Sequence, residues 1–449
     1  MDFQLLSNQK RKEMFSAALT LLEETGLKLE SEEVKAKLGE QGARISEERL
    51  FLPENLVRKC LSSAPNEISV QTRDGLLHRL GKDKTIFGLD ITVSFTDKNI
   101  INNNDGTIGP ADVIKLTNEL PNIGLIAITP QVFTNDTLES KISLLEKMFE
   151  TSNKPIILGN SKEKAREKEL DFFIDYATQN SINGEQKTPS FFYSLRSEDP
   201  LRKSKIWIKH LNRCSENGLP VILEPPRTSS EFVSMELSQK TTLGLTELLG
   251  SITIAQTLNP GSPVILGASL PETDFKGKEN SLGLGYSSAL TSCLAEAANF
   301  SRIPVLARNS TRFLDWYKRE MYLDSTLDFL VNSLVRTDLF TSRIGPKKSG
   351  GYPSESPVII DEVVGMIKRV CRGVSTDKHD LALDLISQIG HKGDYLTAQH
   401  TLETFKTEHW QPSILDRQNF ESWSSNGEKD LTERARERAK EILTERKNK

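Results

Sequence analysis

Glu224 and Arg308 are the first residues to consider for chemistry, because each closes an apolar run: PVILE over 220–224 and PVLAR over 304–308. A charge in that position either pairs with an opposite charge or meets an ionic ligand. For Glu224 the protein partners would be Arg196, Arg308 or Arg343, and the alternative is a cation in front of it. For Arg308 the choice lies between Glu224 and an anion held in the forked geometry of a guanidinium. Asp90, Thr92, Thr129, Gln131, Asn160, Ser194, Arg196, Ser269, Asn309, Ser342 and Arg343 occupy comparable positions. The set holds no histidine, no cysteine and no carboxylates close in sequence. General acid–base and nucleophilic chemistry therefore find little footing in it.

Other catalytic patterns are also missing. None of the six histidines (His78, His210, His379, His391, His400 and His409) closes an apolar run. The nine-residue spacing of the last three sets neighbours on opposite faces of a helix, so no metal site is expected. No G-x-S-x-G occurs, and no G-x-G-x-x-G follows the first apolar run.

The elements that must position these residues follow a repeating pattern. PIILG (155–159), PVILE, PVILG (263–267) and PVLAR each begin with proline and continue through aliphatic residues. A proline is tolerated at the first residue of a strand, and an unbroken apolar run marks a strand buried on both faces of a parallel sheet. Strands are expected at 85–95, 123–129, 155–160, 190–196, 220–226, 263–269, 304–309 and 339–345, each followed by a helical stretch. Eight such units over about 290 residues match a (β/α)8 TIM barrel in number and length. The fold class is α/β. Catalytic residues of such a barrel come from the C-terminal strand ends, where the polar set falls.

Residues 1–80 are expected to form a helical preface with a β-ribbon. Its helices fall at 9–24, 31–38 and 53–62, and a strand at 67–73 turns at Asp74-Gly75. The barrel spans 81–375. Residues 376–449 form a C-terminal helical extension with helices at 377–389, 395–409 and 430–446. The charge run of the last one suits a solvated face.

With 58 basic and 62 acidic residues the net charge is −4, which disfavours nucleic acid as a partner. The four cysteines are far apart, as in a reducing cytoplasm. No stretch approaches the roughly 20 apolar residues of a membrane span, and the first residues lack the apolar centre of a signal peptide. A cytoplasmic protein without a membrane partner is expected.

Several longer stretches point to one family. They are LGEQGARISEERLFLPENLVRKCLSSAP (38–65), Asp105-Gly106 followed by Pro110-Ala111-Asp112, and Leu120-Pro121-Asn122-Ile123. NPGSP (259–263), HTLETFKTEHW (400–410), Trp423 and GEKDLTER (427–434) extend the pattern to the tail. Over nearly its whole length the chain resembles the trimethylamine:corrinoid methyltransferase family, including members without pyrrolysine that demethylate glycine betaine.

The resemblance implies a cobalamin carried by a separate corrinoid protein, whose Co(I) takes a methyl group from a quaternary or tertiary amine, and it implies a homo-oligomer. It also explains a strand-end ring poor in acid–base groups, since positioning and electrostatics would suffice. Under this view Glu224, Arg308 and Asn309 are the catalytic candidates. Asp90, Thr92, Tyr193, Arg196, Ser269 and Arg343 would touch substrate, and Gly159, Asn160 and Gly267 would leave room for the cofactor. Phe95, Trp316 and Tyr317 join Tyr193 as aromatic candidates for a quaternary cation. Glu224 and Arg308 would grip the cation and carboxylate of a betaine-like zwitterion.

The glycine-rich segments of the family after the first and seventh strands are replaced here by GLDITVS (88–94) and RNSTR (308–312). The alternative is a catalytically degenerate barrel that binds a small molecule or the corrinoid partner without methyl transfer.

Overall fold

The computed structural model describes residues 3–73, 75–82, 84–94, 106–131, 138–159, 166–179, 190–226, 228–229, 236–270, 272–273, 284–308, 320–347, 350–391 and 393–445. Eight parallel strands form a closed barrel. They are β1 (Ile86–Ser94), β2 (Leu125–Gln131), β3 (Ile156–Gly159), β4 (Phe191–Arg196), β5 (Val221–Glu224), β6 (Val264–Ala268), β7 (Val305–Arg308) and β8 (Leu339–Ile344). Each pairs with its neighbours in sequence, and β8 closes on β1. The expected (β/α)8 architecture is the observed one.

The prolines sit one residue before their strands. Lacking an N–H they donate nothing, but their carbonyls already join the ladder: Pro155 accepts from Ile126, Pro220 from Tyr193, Pro263 from Val221 and Pro304 from Leu266.

Cross-strand partners in a parallel sheet lie on the same face. Starting from Ile222↔Ile265 and Ala127↔Ile157, the inward set at the lower level is aliphatic or aromatic. Ile86, Leu125, Ala127, Ile157, Phe192, Ile222, Ile265, Leu306 and Leu339 pack there with Ile68, Val70 and Leu80. The last three come from the antiparallel hairpin Ile68–Gln71 and Leu77–Leu80, which plugs the barrel floor. Asp338 fastens this plug by accepting from Gly81 N at 2.6 Å and from Val305 N at 2.8 Å. Gly88 faces inward where Leu125 crosses it, and a Cβ there would stand 2.4 Å from Leu125 Cδ1.

Four local expectations change. The helical stretch expected after the fourth strand does not follow at once, because Arg202–Lys203 first pairs as a short strand with Leu27–Leu29 and the helix starts at Lys205. The first α-helix ends at Thr20 and widens into a single π turn, Leu21–Thr25, before Gly26. The helix expected at 377–389 is two pieces, Lys378–Leu381 and Leu383–Ile389, broken where Ala382 adopts φ +44. The terminal helix Leu431–Glu445 is docked rather than only solvated. Ala435, Ala439 and Ile442 are buried, and Arg436 pairs with Glu355 at 2.9 Å.

The hairpin plug makes a stability prediction. Leu80→Ala empties a site 2 % exposed and should cost about 2–5 kcal/mol in a urea unfolding curve. Leu77→Ala, on a side chain 44 % exposed, should cost under about 0.5 kcal/mol. Equal costs would mean that the hairpin does not seal the floor.

Candidate active site

Above the apolar floor, the inward positions of the same strands turn polar. The pairings Arg308↔Thr341, Arg343↔Asp90, Thr92↔Thr129 and Arg196↔Glu224 place these eight residues on the inner face. Ser194 joins them through its pairing with Gly159.

Their contacts form one network. Arg308 Nη1 lies 3.1 Å from Asp90 Oδ2, and its Nε lies 2.8 Å from Glu224 Oε1. The second contact is an ion pair off the hydrogen-bond direction, since that Nε makes no hydrogen bond among the described residues. Arg343 Nη2 reaches the same Asp90 Oδ2 at 3.2 Å. Arg196 Nη2 pairs closely with Glu224 Oε2, and its Nη1 donates to the carbonyls of Pro225 at 2.8 Å and Ser269 at 3.2 Å. Thr129 donates to Asp90 at 2.7 Å, and Ser194 to Glu224 at 2.6 Å.

Burial by itself would raise both carboxyls, but the guanidiniums reverse it. Arg343, Arg308 and the Thr129 hydroxyl hold Asp90 below the ordinary range, and Arg196, Arg308 and the Ser194 hydroxyl do so for Glu224. Burial would lower Arg308, but Glu224 and Asp90 raise it. All three groups are charged at neutral pH.

The geometry sorts the sequence candidates. Glu224 pairs with Arg196 and Arg308 and not with Arg343, whose contact is Asp90. The clamp in which Glu224 meets a substrate cation is therefore corrected, because both its oxygens are occupied by guanidiniums. Ser269 lies beside Arg196, its Oγ 3.4 Å from Nη2. Tyr193 is also corrected. It falls on the outward phase of β4, and its hydroxyl meets His210 Nδ1 at 2.9 Å on the helix Lys205–Glu216. Ser342 faces outward too, against Ser325 at 3.2 Å.

The inward residue missed beside it is Thr341, which the same alternation would have found by counting back from Arg343. Gly159 and Gly267 do not leave open space. A Cβ on Gly267 would stand 2.5 Å from Glu224 Cγ, and one on Gly159 would stand 3.0 Å from Thr129 Oγ1. Asn160, Asn309, Phe95, Trp316 and Tyr317 lie outside the described residues. His379, outside the evenly spaced trio His391, His400 and His409, has its ring 5.0 Å from that of His400 on the tail.

The profile of the trimethylamine methyltransferase (MTTB) family matches residues 1–449. The chain belongs to the trimethylamine methyltransferase family. Within it, the chain is 22 % identical over 449 residues to a glycine betaine methyltransferase of Desulfitobacterium hafniense (strain Y51), covering 98 % of this chain and 92 % of that protein. It is 23 % identical to a trimethylamine methyltransferase MttB of Desulfitobacterium hafniense (strain DSM 10664 / DCB-2), covering 97 % and 88 %. An MttB of Methanosarcina thermophila is 21 % identical, covering 98 % and 93 %. Among solved structures, a hydroxylamine complex of MtmB superposes with a TM-score of 0.54 at 11 % identity, covering 97 % of this chain and 88 % of that one, a likeness of fold. These relatives are methyltransferases, and a methyltransferase is the enzyme class of this chain.

The ion-pair network predicts a pH response. Both carboxyls sit below their ordinary values of 3.8 and 4.5, so their stabilisation is complete above those values and is lost as pH falls through the lower folded ones. Asp90→Asn leaves Arg308 and Arg343 undercompensated and should cost about 3–5 kcal/mol near pH 7. Its stability should also fall less steeply in acid. Urea melts between about pH 3 and 7 measure both effects, and parallel pH profiles for the two proteins would remove Asp90 from the account.

Proposed function

We propose that the protein moves a methyl group from a quaternary or tertiary amine to Co(I) of a cobalamin carried by a separate corrinoid protein. The observation that carries this reading is the state of the two mouth carboxylates. Both are tied into guanidinium pairs, so neither is poised to give or take a proton. A quaternary ammonium suits such a site, because it leaves as a neutral amine and needs no proton. A tertiary amine must be protonated before its methyl can leave. The chain's own work is to hold the donor in line with the acceptor and to exclude competing water. Since the faces of Gly159 and Gly267 are covered, the described strand ends hold no corrinoid cradle, and the acceptor is a second substrate meeting the rim.

One observation favours the reading in which the barrel binds without transferring methyl: Glu224 and Arg308 fill the interior beside Gly267. Incubating the protein with cob(I)alamin and a panel of quaternary and tertiary amines separates the two. Protein-dependent conversion to methylcobalamin, faster with quaternary donors, is the expected result. Binding of an amine without conversion for any donor would leave the binding barrel standing and remove the methyl-transfer reading.

A further inference from the structure

The C-terminal tail holds metal-ligating side chains that the barrel chemistry does not use. Asp377, His379 and Asp380 are exposed, and one ligand atom from each lies within 4.8 Å of the other two. They belong to the short helix Lys378–Leu381 and its cap. His379 stands outside the evenly spaced trio of histidines that argued against a metal.

His379 Nδ1 lies 3.3 Å from Asp380 Oδ1. Two ligands at roughly 2.0–2.2 Å from a tetrahedral Zn2+ stand about 3.4 Å apart, so this pair already has the spacing such an ion imposes. Asp377 accepts from Asp380 N at 2.9 Å and from Ser375 Oγ at 3.1 Å, one bond on each carboxylate oxygen. Each oxygen offers two lone-pair positions, so one per oxygen remains for an ion.

A second element supports the imidazole from the other side. Glu403, on the helix Gln399–Glu408, places Oε2 3.9 Å from His379 Nε2. A histidine that binds metal through one nitrogen turns the other toward a carboxylate or a backbone carbonyl. With a carboxylate opposite each nitrogen, a neutral His379 sets a lone pair against an anion on one side. A cation between Nδ1 and the two aspartates removes that conflict. His400, on the same helix as Glu403, meets the His379 carbonyl through Nε2 at 3.0 Å and so ties the two segments together. Lys378–Leu381 and the following helix Leu383–Ile389 bury no side chain. Short pieces without a core of their own are commonly held by a metal or a covalent staple.

We propose that Asp377, His379 and Asp380 bind one Zn2+ ion, that Glu403 orients the ligating imidazole, and that the ion fastens residues 377–389 to the helix Gln399–Glu408. One nitrogen with carboxylate oxygens suits Zn2+, whereas Ca2+ and Mg2+ take oxygen ligands. Water completes the coordination of so exposed a site. The ion is structural, and its binding holds whether or not the barrel transfers methyl groups.

Calorimetry of the full chain, first stripped with a chelator, tests this with Zn2+ and Mg2+. His379→Ala should lose one equivalent of Zn2+ binding, and Glu403→Gln should weaken that equivalent about tenfold. His409→Ala, on a ring that stacks against Phe405 instead, should leave it unchanged. Mg2+ should bind the same site at least about tenfold more weakly than Zn2+. Thermal melts of the metal-free proteins check that each variant folds. Amide hydrogen exchange over 378–389 should slow when Zn2+ is added to the unaltered chain and stay the same in His379→Ala. Zn2+ binding unchanged in folded His379→Ala, equal affinity for Mg2+, or exchange indifferent to Zn2+ would overturn the proposal. An imidazolium held between carboxylates without a metal would then account for the cluster.

Discussion

The upper half of the barrel depends on Arg308 being paired twice. From β7 it reaches Asp90 on β1 in one direction and Glu224 on β5 in the other, so one side chain bridges strands on either side of the interior. A buried guanidinium is tolerable only with such compensation, because desolvation costs several kcal/mol per ion and a lone partner rarely returns it. The second contacts of each carboxylate then follow. Thr129 takes the remaining oxygen of Asp90, and Ser194 joins Arg308 at Oε1 of Glu224 while Arg196 takes Oε2. Moving any one of these charged groups alone would leave an opposite charge undercompensated in a largely buried layer.

The floor and the mouth divide stability from specificity. Below, aliphatic and aromatic side chains from every strand meet a hairpin plug, and the contacts are tolerant of small changes in shape. Above, a layer that an ordinary barrel fills with branched aliphatics is given to ions. Such ion clusters are seldom more stable than an apolar packing of equal volume, so their presence points to a task other than holding the barrel closed. Gly267 is part of that arrangement, since the Glu224 side chain lies where any larger residue would have to go.

The strands themselves were legible because burial on both faces leaves a continuous aliphatic run, and four of the runs begin with proline. The same property hid the inward phase. Where both faces are apolar, alternation carries no contrast, and Tyr193 and Ser194 look equally placed to reach a ligand. Tyr193 in fact packs outward against His210, and Ser194 bonds Glu224. Ser342 and Thr341 exchange roles for the same reason. Lys203 escaped recognition as strand because its partner Leu29 is far away in sequence, and only the assembled preface makes that pairing worthwhile. Reading Glu224 as paired was within reach of the sequence. Which arginine would take it required the barrel to close.

At about a fifth identity to its relatives the chain keeps a closed eight-stranded barrel, and the upper layer of that barrel holds buried charges. Those charges bear on what can enter. A bare ammonium about 6 Å from a guanidinium such as that of Arg308 meets roughly 3 kcal/mol of repulsion at an effective dielectric of about 20, less what the paired carboxylates return. An amine that brings its own negative group reverses the sign of that term, provided the negative end points at Arg308 and Arg343. The methylated nitrogen is then turned away from the strand ends, toward the rim. The same ion pairs that keep the two carboxylates from acting as acid or base would thus set the direction in which a substrate lies.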